Sequence, residues 1–224
     1  MSTPNEILSF WFADSLTDPT GLGPHLERWY GCGTALDQTI ARRFGPEIDQ
    51  AATTALAPWM TTPRGRLAVI LLLDQFPRHA FRGLGTAFKY GAQAVSICRA
   101  GLASGVDREL HLLEREFFYT PLLHSERLED QQLSVACFEQ LLAEAPRELT
   151  PHFREALTIA RRYRTIIARF GRFPHRNAQL GRKSLVSERF FLLYLLSRQS
   201  LGQIWRLNRD LGQRMLRCFS VKIR

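Results

Sequence analysis

Apolar residues recur along most of the chain at steps of three and four, the spacing that places side chains on one face of an α-helix. Two segments show the stripe clearly, residues 84–103 with Phe88, Ala92, Val95, Cys98 and Leu102, and residues 151–170 with Phe153, Leu157, Ala160, Tyr163, Ile167 and Phe170. The segment from Leu67 to Leu73 is apolar on every side, which predicts a buried, central helix. No segment shows the sustained period-two alternation of a strand, so we predict an all-α fold.

Short sequence signals mark where several of these helices begin. Thr62-Pro63 and Thr150-Pro151 each place a capping hydroxyl before a proline, which fits the first helical position because its missing N–H is not needed there. Ser125 is expected to cap another helix. Ser184 is expected to open a last helical region that extends to about residue 219.

Prolines and glycines predict where helices end. We expect Pro77 and Pro121 to end helices, and Pro46 to interrupt one, because a proline ring clashes with the preceding turn. Gly171 is expected to terminate the helix that begins at the second Thr-Pro pair. Residues 13–33 are rich in Gly, Pro, Thr and Asp and are predicted to form a loop.

Seven or eight helices joined by short connections favour antiparallel helical hairpins. No clear 34-residue self-similarity of the tetratricopeptide kind is present in the sequence. The chain has 224 residues, of which 45% are hydrophobic and 23% charged, an ordinary composition for a globular protein. We therefore predict one all-α domain over residues 1–197, followed by an accessory segment over residues 198–224.

The composition of the chain also indicates the cellular compartment in which we expect the protein. The four cysteines show no C-x-x-C pattern, and the first residues lack the basic start and apolar block of a signal peptide. No uninterrupted apolar run exceeds seven residues, the length of the run from Phe190 to Leu196, whereas a membrane helix needs roughly twenty. We expect a cytoplasmic protein with reduced thiols and no membrane span.

The net charge of +9 is concentrated at the end of the chain. Residues 1–180 hold 20 Arg and Lys against 19 Asp and Glu, whereas residues 181–224 hold 10 against 2. Residues 198–224 predict a basic amphipathic helix with one apolar side (Leu201, Ile204, Leu207, Leu211, Met215, Phe219) and a second side rich in arginine (Arg198, Arg206, Arg209, Arg214, Arg217). Such a helix either binds polyanions weakly or packs its apolar side on the domain.

Three polar motifs stand out against this helical background. The first is Asp74-Gln75-Phe76-Pro77-Arg78, the second is His124-Ser125-Glu126, and the third runs from Phe170 to Asn177 and reads F-G-R-F-P-H-R-N. Leu180-Gly181-Arg182 follows the third motif closely. Together these motifs resemble the bacterial domain of unknown function 924 family, over roughly residues 6–189.

The resemblance implies a tetratricopeptide-like, right-handed array of helical hairpins, and it implies no activity. Three positions depart from the family pattern: His79 stands where Asn is usual, Gly91 where Asp is usual, and Leu185 where Thr is usual. If the Asp or the Asn takes part in chemistry, we expect that chemistry to be impaired in this chain.

The first two motifs each allow a structural and a functional interpretation. Asp74 at a helix C-terminus opposes the helix dipole and should have a cationic partner, either Arg78 or Arg82. This is either a salt bridge that fixes the turn or a carboxylate aligned in a pocket. His124 is a general base, a metal ligand oriented by a carboxylate, or a hydrogen-bonded, half-buried histidine, and Glu126 fits the first turn of a helix.

The third motif is rich in groups that bind anions. Arg172, Arg176 and Arg182 can contact carboxylate or phosphate through two donors each, and Asn177 and His175 lie between them. The alternative is that these arginines neutralise Asp74, Glu126 and Asp130 and tie three segments together.

We hypothesise that the three motifs converge on one polar pocket for a small anion, a carboxylate or a phosphate. The ligand-binding candidates are Arg78, Arg172, Arg176, Asn177 and Arg182, and the acid–base candidates are His124, Glu126, Asp74 and His175. A Ser125-His124-Asp74 triad is disfavoured because adjacent residues rarely face each other, and no metal or cofactor is predicted. The alternative function is a tetratricopeptide-like scaffold that binds peptides without catalysis.

We expect the apolar run from Phe190 to Leu196 to stay docked on the domain, because exposing so many large apolar side chains would invite aggregation. The accessory segment generates a testable prediction. Truncation after Ser197 should leave solubility and melting temperature unchanged, while the protein elutes from heparin at clearly lower salt because the arginine stripe is lost. A truncated protein that precipitates, or that melts many degrees lower, would show instead that Leu201, Leu211 and Met215 complete the core.

Overall fold

The computed structural model describes residues 2–18, 22–31 and 33–204, and within these ranges the chain is helical without a β-strand. The α-helices are α1 (Pro4–Phe12), α2 (Leu22–Tyr30), α3 (Thr34–Ala51), α4 (Pro63–Ile70), α5 (Phe76–Ala80), α6 (Gly91–Ser104), α7 (Leu112–His124), α8 (Leu128–Glu144), α9 (Thr150–Phe170) and α10 (Val186–Ile204). The prediction of an all-α class is confirmed. The predicted tail from residue 205 onward lies outside the described residues.

Several predicted helix boundaries hold. The Thr62 hydroxyl accepts a hydrogen bond from the Gly65 N–H and so caps α4, with Pro63 in its first turn. Helix α9 begins at Thr150 and ends before Gly171, whose φ of 66° places it in the left-handed region.

The region predicted to be a loop, residues 13–33, contains helix α2, so that prediction is wrong. Trp29 is buried, and its indole N–H donates to the Trp11 carbonyl at 2.9 Å. Gly23 and Pro24 occupy the first turn, where a missing donor costs little. Burial of one aromatic face therefore outweighs the turn-forming composition of this segment.

Prolines end fewer helices than predicted. Pro46 lies inside α3 and Pro121 lies inside α7, so neither helix stops there. Before Pro77 the chain widens into a π-helical turn, Leu71–Gln75, and Pro77 then falls in the first turn of α5. The wider turn moves the proline to a position where its missing N–H is tolerated.

The core is built mainly from aromatic and branched apolar side chains around α4 and the π turn. Every residue from Leu67 to Leu73 is buried, as predicted for a central helix. The rings of Trp11, Phe76 and Phe117 meet there, with Trp11 5.6 Å from Phe76 and 5.4 Å from Phe117 between ring centroids. Helix α7 packs against α6 and α8, and α8 packs along α9.

Over residues 186–195, helix α10 is docked on one side only. Phe191 contacts Phe170 with ring centroids 5.1 Å apart, and Leu195 is buried. In contrast, Phe190 is 70% exposed and Leu193 56% exposed, so the expectation that the whole run from Phe190 to Leu196 is docked is wrong. The run is apolar all round, and one helix face cannot bury every side. Within the described residues no helix is long and apolar enough to cross a membrane.

The close packing of α6 on α7 gives a matched pair of substitutions. A Cβ atom at Gly101 would lie 2.4 Å from the Cζ atom of Phe118, a fully buried ring, whereas one at Gly91 in the same helix would meet nothing within 4 Å. Gly101→Ala should therefore destabilise the protein by about 1–3 kcal/mol, because the close-packed interior cannot absorb the methyl group. Gly91→Ala should be neutral or slightly stabilising. Urea unfolding measures both variants, and equal effects would contradict this packing account.

Candidate functional site

The π turn places Asp74 in the interior, where four donors meet its carboxylate. Arg78 donates through Nη2 at 3.0 Å and Nε at 3.3 Å, and Gln75 donates through Nε2 at 2.7 Å. His124 approaches with Nδ1 at 2.8 Å from Oδ2. Burial opposes ionisation of Asp74, but the charge of Arg78 and the hydrogen bond from His124 hold the pKa of the carboxyl well below its usual range. Asp74 is therefore an ionised carboxylate at neutral pH.

His124 is the last residue of α7 and is oriented by Asp74. Because the carboxylate is ionised, Nδ1 carries the proton that it donates, and Nε2 is left as a hydrogen-bond acceptor. In the described part of the chain, no group is hydrogen-bonded to Nε2. Burial and the nearby charge of Arg78 outweigh Asp74 and lower the pKa of His124 to about 4, so the ring is neutral at pH 7.

Arg176 brings a cation into the interior from the short 3₁₀ turn Pro174–Arg176. Its guanidinium carbon lies 4.2 Å from the centroid of the Phe173 ring and 5.0 Å from that of Phe88, and the residue is 4% exposed. Nη1 donates to the His124 carbonyl at 2.8 Å. Nε and Nη2 have no hydrogen-bond partner within the described ranges. Burial and repulsion by Arg78 lower the pKa of Arg176 to about 9.

Arg78, His124 and Arg176 all line a cavity of about 510 Å³ between α6, the start of α8 and the loop after α9. We call it the arginine cavity. Four arginines and two carboxylates contribute to its lining: Arg78, Arg99, Arg127, Arg176, Glu126 and Asp130. The two carboxylates are already engaged by arginines, because Arg99 donates to Asp130 at 2.6 Å and Arg182 donates to Glu126 at 2.6 Å. The cavity therefore presents a positive potential.

The other predicted ligand-binding residues hold the loop between α9 and α10 in place. Arg172 contacts the buried Glu188 carboxylate at 2.7 and 2.9 Å, and Asn177 donates to the same carboxylate at 3.1 Å. Arg182 pairs with Glu126, whose Oε1 also accepts from the Phe173 N–H at 2.8 Å. These contacts correspond to the structural alternative for the motif, in which its arginines tie segments together.

Two further sequence hypotheses meet a different geometry. His175 is buried against the Phe173 ring at 5.3 Å between centroids, does not line the arginine cavity, and has a pKa held well below its usual value by burial and by Arg176. Ser125 was predicted to cap α8, but the helix begins after Arg127. The Ser125 hydroxyl instead donates to Asp130 at 2.6 Å, which leaves it unavailable to His124.

The family assignment follows from comparison of the whole chain. The family model for bacterial protein of unknown function (DUF924) matches residues 7–194. The chain belongs to this family. A solved structure, the protein of unknown function ATU0120 from Agrobacterium tumefaciens, is similar at 30% sequence identity and a TM-score of 0.69, covering 84% of this chain and 96% of that one. No curated protein matches the chain significantly.

One charged cluster of this family member was not predicted from the sequence. His79, which stands where the family resemblance led us to expect Asn, hydrogen-bonds through Nδ1 to Asp37 at 2.8 Å. Arg82 donates to the same carboxylate at 2.6 and 2.9 Å. Burial opposes the shift, but these contacts lower the pKa of Asp37 to about 2. His79 and Arg82 could have been predicted as polar site residues, because they follow the first motif directly. Asp37 lies on α3, where no neighbouring residues form a motif that would mark it as part of a site.

A second buried pair lies behind the site. The Nε2 atom of His152 is 2.6 Å from Glu116, and the Tyr30 hydroxyl donates to the other oxygen of that carboxylate at 3.0 Å. Burial alone would lower the pKa of His152, but the negative charge of Glu116 raises it overall. Among residues 2–18, 22–31 and 33–204, no three His, Cys, Asp or Glu side chains are grouped to hold a metal ion.

These histidines predict how stability depends on pH. Folded His124 releases its proton at about pH 4, whereas an unfolded histidine does so near 6.5, so the unfolded state binds more protons between these values. Stability should therefore fall as pH drops through this window, with His124 accounting for about 2 kcal/mol between pH 6.5 and pH 5.

Urea unfolding at pH 6.5 and pH 5 measures this loss in the wild type and in His124→Gln, which no longer titrates. The variant should lose less stability than the wild type. The matched variant His152→Gln should lose more, because His152 has a raised pKa and therefore contributes stability at the lower pH. An equal loss in all three proteins would contradict the assigned ionisation states.

Proposed function

We propose that this protein binds a small anion, a carboxylate or a phosphate, in the arginine cavity. The observation that carries the proposal is Arg176, a buried guanidinium that lines the cavity and whose Nε and Nη2 atoms have no hydrogen-bond partner within the described ranges. A buried cation without a carboxylate partner is costly, because the lost hydration is not replaced. An anion in the cavity would supply the missing charge and the missing acceptors.

Arg78, which also lines the arginine cavity, supports the same proposal. Its Nε and Nη2 atoms contact Asp74, while Nη1 has no hydrogen-bond partner within the described ranges. Arg78 and Arg176 also repel each other, which contributes to the lowered pKa of Arg176. An anion placed between the two groups relieves this repulsion and can accept hydrogen bonds from both guanidinium planes.

We assign acid–base chemistry at this site to His124, with Asp74 as its positioning residue. The Asp74 carboxylate fixes the tautomer in which Nε2 accepts a proton. Bound anion would offset the charge of Arg78, which depresses the pKa of His124, and would thereby strengthen the ring as a base. Glu126 is a weaker candidate because Arg182 and the Phe173 N–H already occupy its oxygens.

The alternative is a tetratricopeptide-like scaffold that binds a peptide. Packing of α7 against α8 and of α8 along α9, with short connections between them, supports an array of antiparallel hairpins. The exposed apolar side chains of Phe190 and Leu193 on α10 favour an interaction surface. The scaffold hypothesis gives no reason for a buried, partly unpaired arginine, so we favour anion binding.

Thermal melting tests anion binding directly. Phosphate, sulfate, acetate and citrate are compared with chloride at constant ionic strength. At about 100 times Kd a bound anion adds about 2.7 kcal/mol, which raises the melting temperature of a chain of this size by roughly 5–10 °C. Arg176→Met should abolish the rise, yet in chloride it should cost less than about 1 kcal/mol because it removes an uncompensated buried charge.

The controls are two other arginines. Arg161→Met removes an exposed side chain that pairs with Glu139 and should leave the anion-induced shift unchanged. Arg182→Met should instead destabilise the protein, because it leaves the half-buried Glu126 carboxylate without its partner. If no anion raises the melting temperature, or if Arg176→Met responds as the wild type does, the proposal is wrong.

A further inference from the structure

A second cavity, of about 80 Å³, adjoins the arginine cavity. Arg78, Phe88 and His124 line both cavities, so a molecule that extends past these three side chains contacts both. Aromatic rings of Trp29 and Tyr30 form other walls of this second space. We call it the aromatic cavity.

Most of the polar side chains that line the aromatic cavity are hydrogen-bonded to protein groups. His79 and Arg82 are held by Asp37, and the Gln75 amide donates to Asp74. The Tyr30 hydroxyl donates to Glu116 at 3.0 Å. The surface that these residues offer to a ligand therefore consists chiefly of aromatic ring faces and aliphatic carbon atoms. The aromatic cavity thus suits an apolar group, whereas the arginine cavity suits an anion.

The volume limits the size of that apolar group. An apolar cavity of about 150 Å³ binds benzene, which has six carbon atoms. The aromatic cavity, at about 80 Å³, therefore has room for about three non-hydrogen atoms. A short alkyl group fits this size, whereas a six-membered ring or a long acyl chain does not.

We propose that the ligand is a small amphipathic anion whose carboxylate or phosphate group contacts Arg78 and Arg176 while its apolar part, about three carbon atoms, fills the aromatic cavity. The inference rests on the proposed function, since it takes the arginine cavity as the anion site. It adds that His124, which lines both cavities, lies beside the carbon atoms that link the two parts. The chemical class is that of short-chain alkyl carboxylates and alkyl phosphate monoesters.

A chain-length series on the wild-type protein tests this inference. Apparent affinities are obtained from the melting shift with straight-chain carboxylates from acetate to nonanoate, and with alkyl phosphates of matching length. Affinity should rise about fourfold for each buried methylene, reach a maximum at about three apolar carbon atoms, and then fall because the cavity is full. The two series distinguish a carboxylate from a phosphate as the preferred anion.

A substitution in the aromatic cavity locates the apolar part. Ala87 is buried and lines this cavity but not the arginine cavity. Ala87→Leu fills the space and should erase the gain with chain length, so that butanoate binds no better than acetate. Ala143→Leu adds the same side chain at an exposed position on α8 and should retain the full series.

The outcomes separate this inference from the proposed function. If no anion, including inorganic phosphate, shifts the melt, both fail together. If phosphate and acetate bind through Arg176 but affinity does not change with chain length, the hypothesis of an amphipathic ligand is wrong, while the hypothesis of anion binding remains supported. A gain with chain length that survives in Ala87→Leu overturns the placement in the aromatic cavity. If Ala87→Leu does not fold, the wild-type series alone tests the inference: a maximum in affinity with chain length supports it, and the absence of a maximum contradicts it.

Discussion

Burial of the Arg176 guanidinium is the constraint on which the rest of the site depends. The loop after α9 holds the residue in this position, because Phe173 packs into the core against Tyr163 at 5.1 Å between ring centroids and Arg172 and Arg182 fasten the loop to Glu188 and Glu126. Flanked by two aromatic rings, the cation gains some attraction but loses its hydration. The loop is thus fastened by ion pairs that leave one arginine without a carboxylate.

The neighbouring ion pairs explain why no carboxylate in the described part of the chain is left to pair with Arg176. Asp74 is shared by Arg78 and His124, Asp130 is taken by Arg99, and Glu126 by Arg182. Each of these pairs links two elements or fixes a turn, so together they define the walls of the arginine cavity. The excess positive charge is consequently fixed in a concave space, which strengthens its electrostatic attraction for anions.

The sequence predicted the helical class, the central position of Leu67 to Leu73 and several helix ends, because these depend on periodicity and local capping. It was wrong where tertiary packing decides: the π turn relocates Pro77, and burial of Trp29 folds a Gly- and Pro-rich segment into α2. The three motifs identified the polar residues of the site. They could not predict where each side chain points, because a loop has no periodicity: Arg176 lines the arginine cavity, whereas Arg172 pairs with Glu188. Asp37 was invisible as a site residue because its partners lie 42 and 45 positions away.

A crystal structure of the protein grown with tungstate tests the central claim most directly, since tungsten is located by anomalous scattering without prior assumption about the site. The account predicts one strong peak in the arginine cavity, with tungstate oxygens within about 3 Å of the guanidinium groups of both Arg78 and Arg176. It predicts no peak there in crystals of Arg176→Met. Density without tungstate at this position, with Nη2 of Arg176 bonded instead to a protein carboxylate or carbonyl, would contradict it.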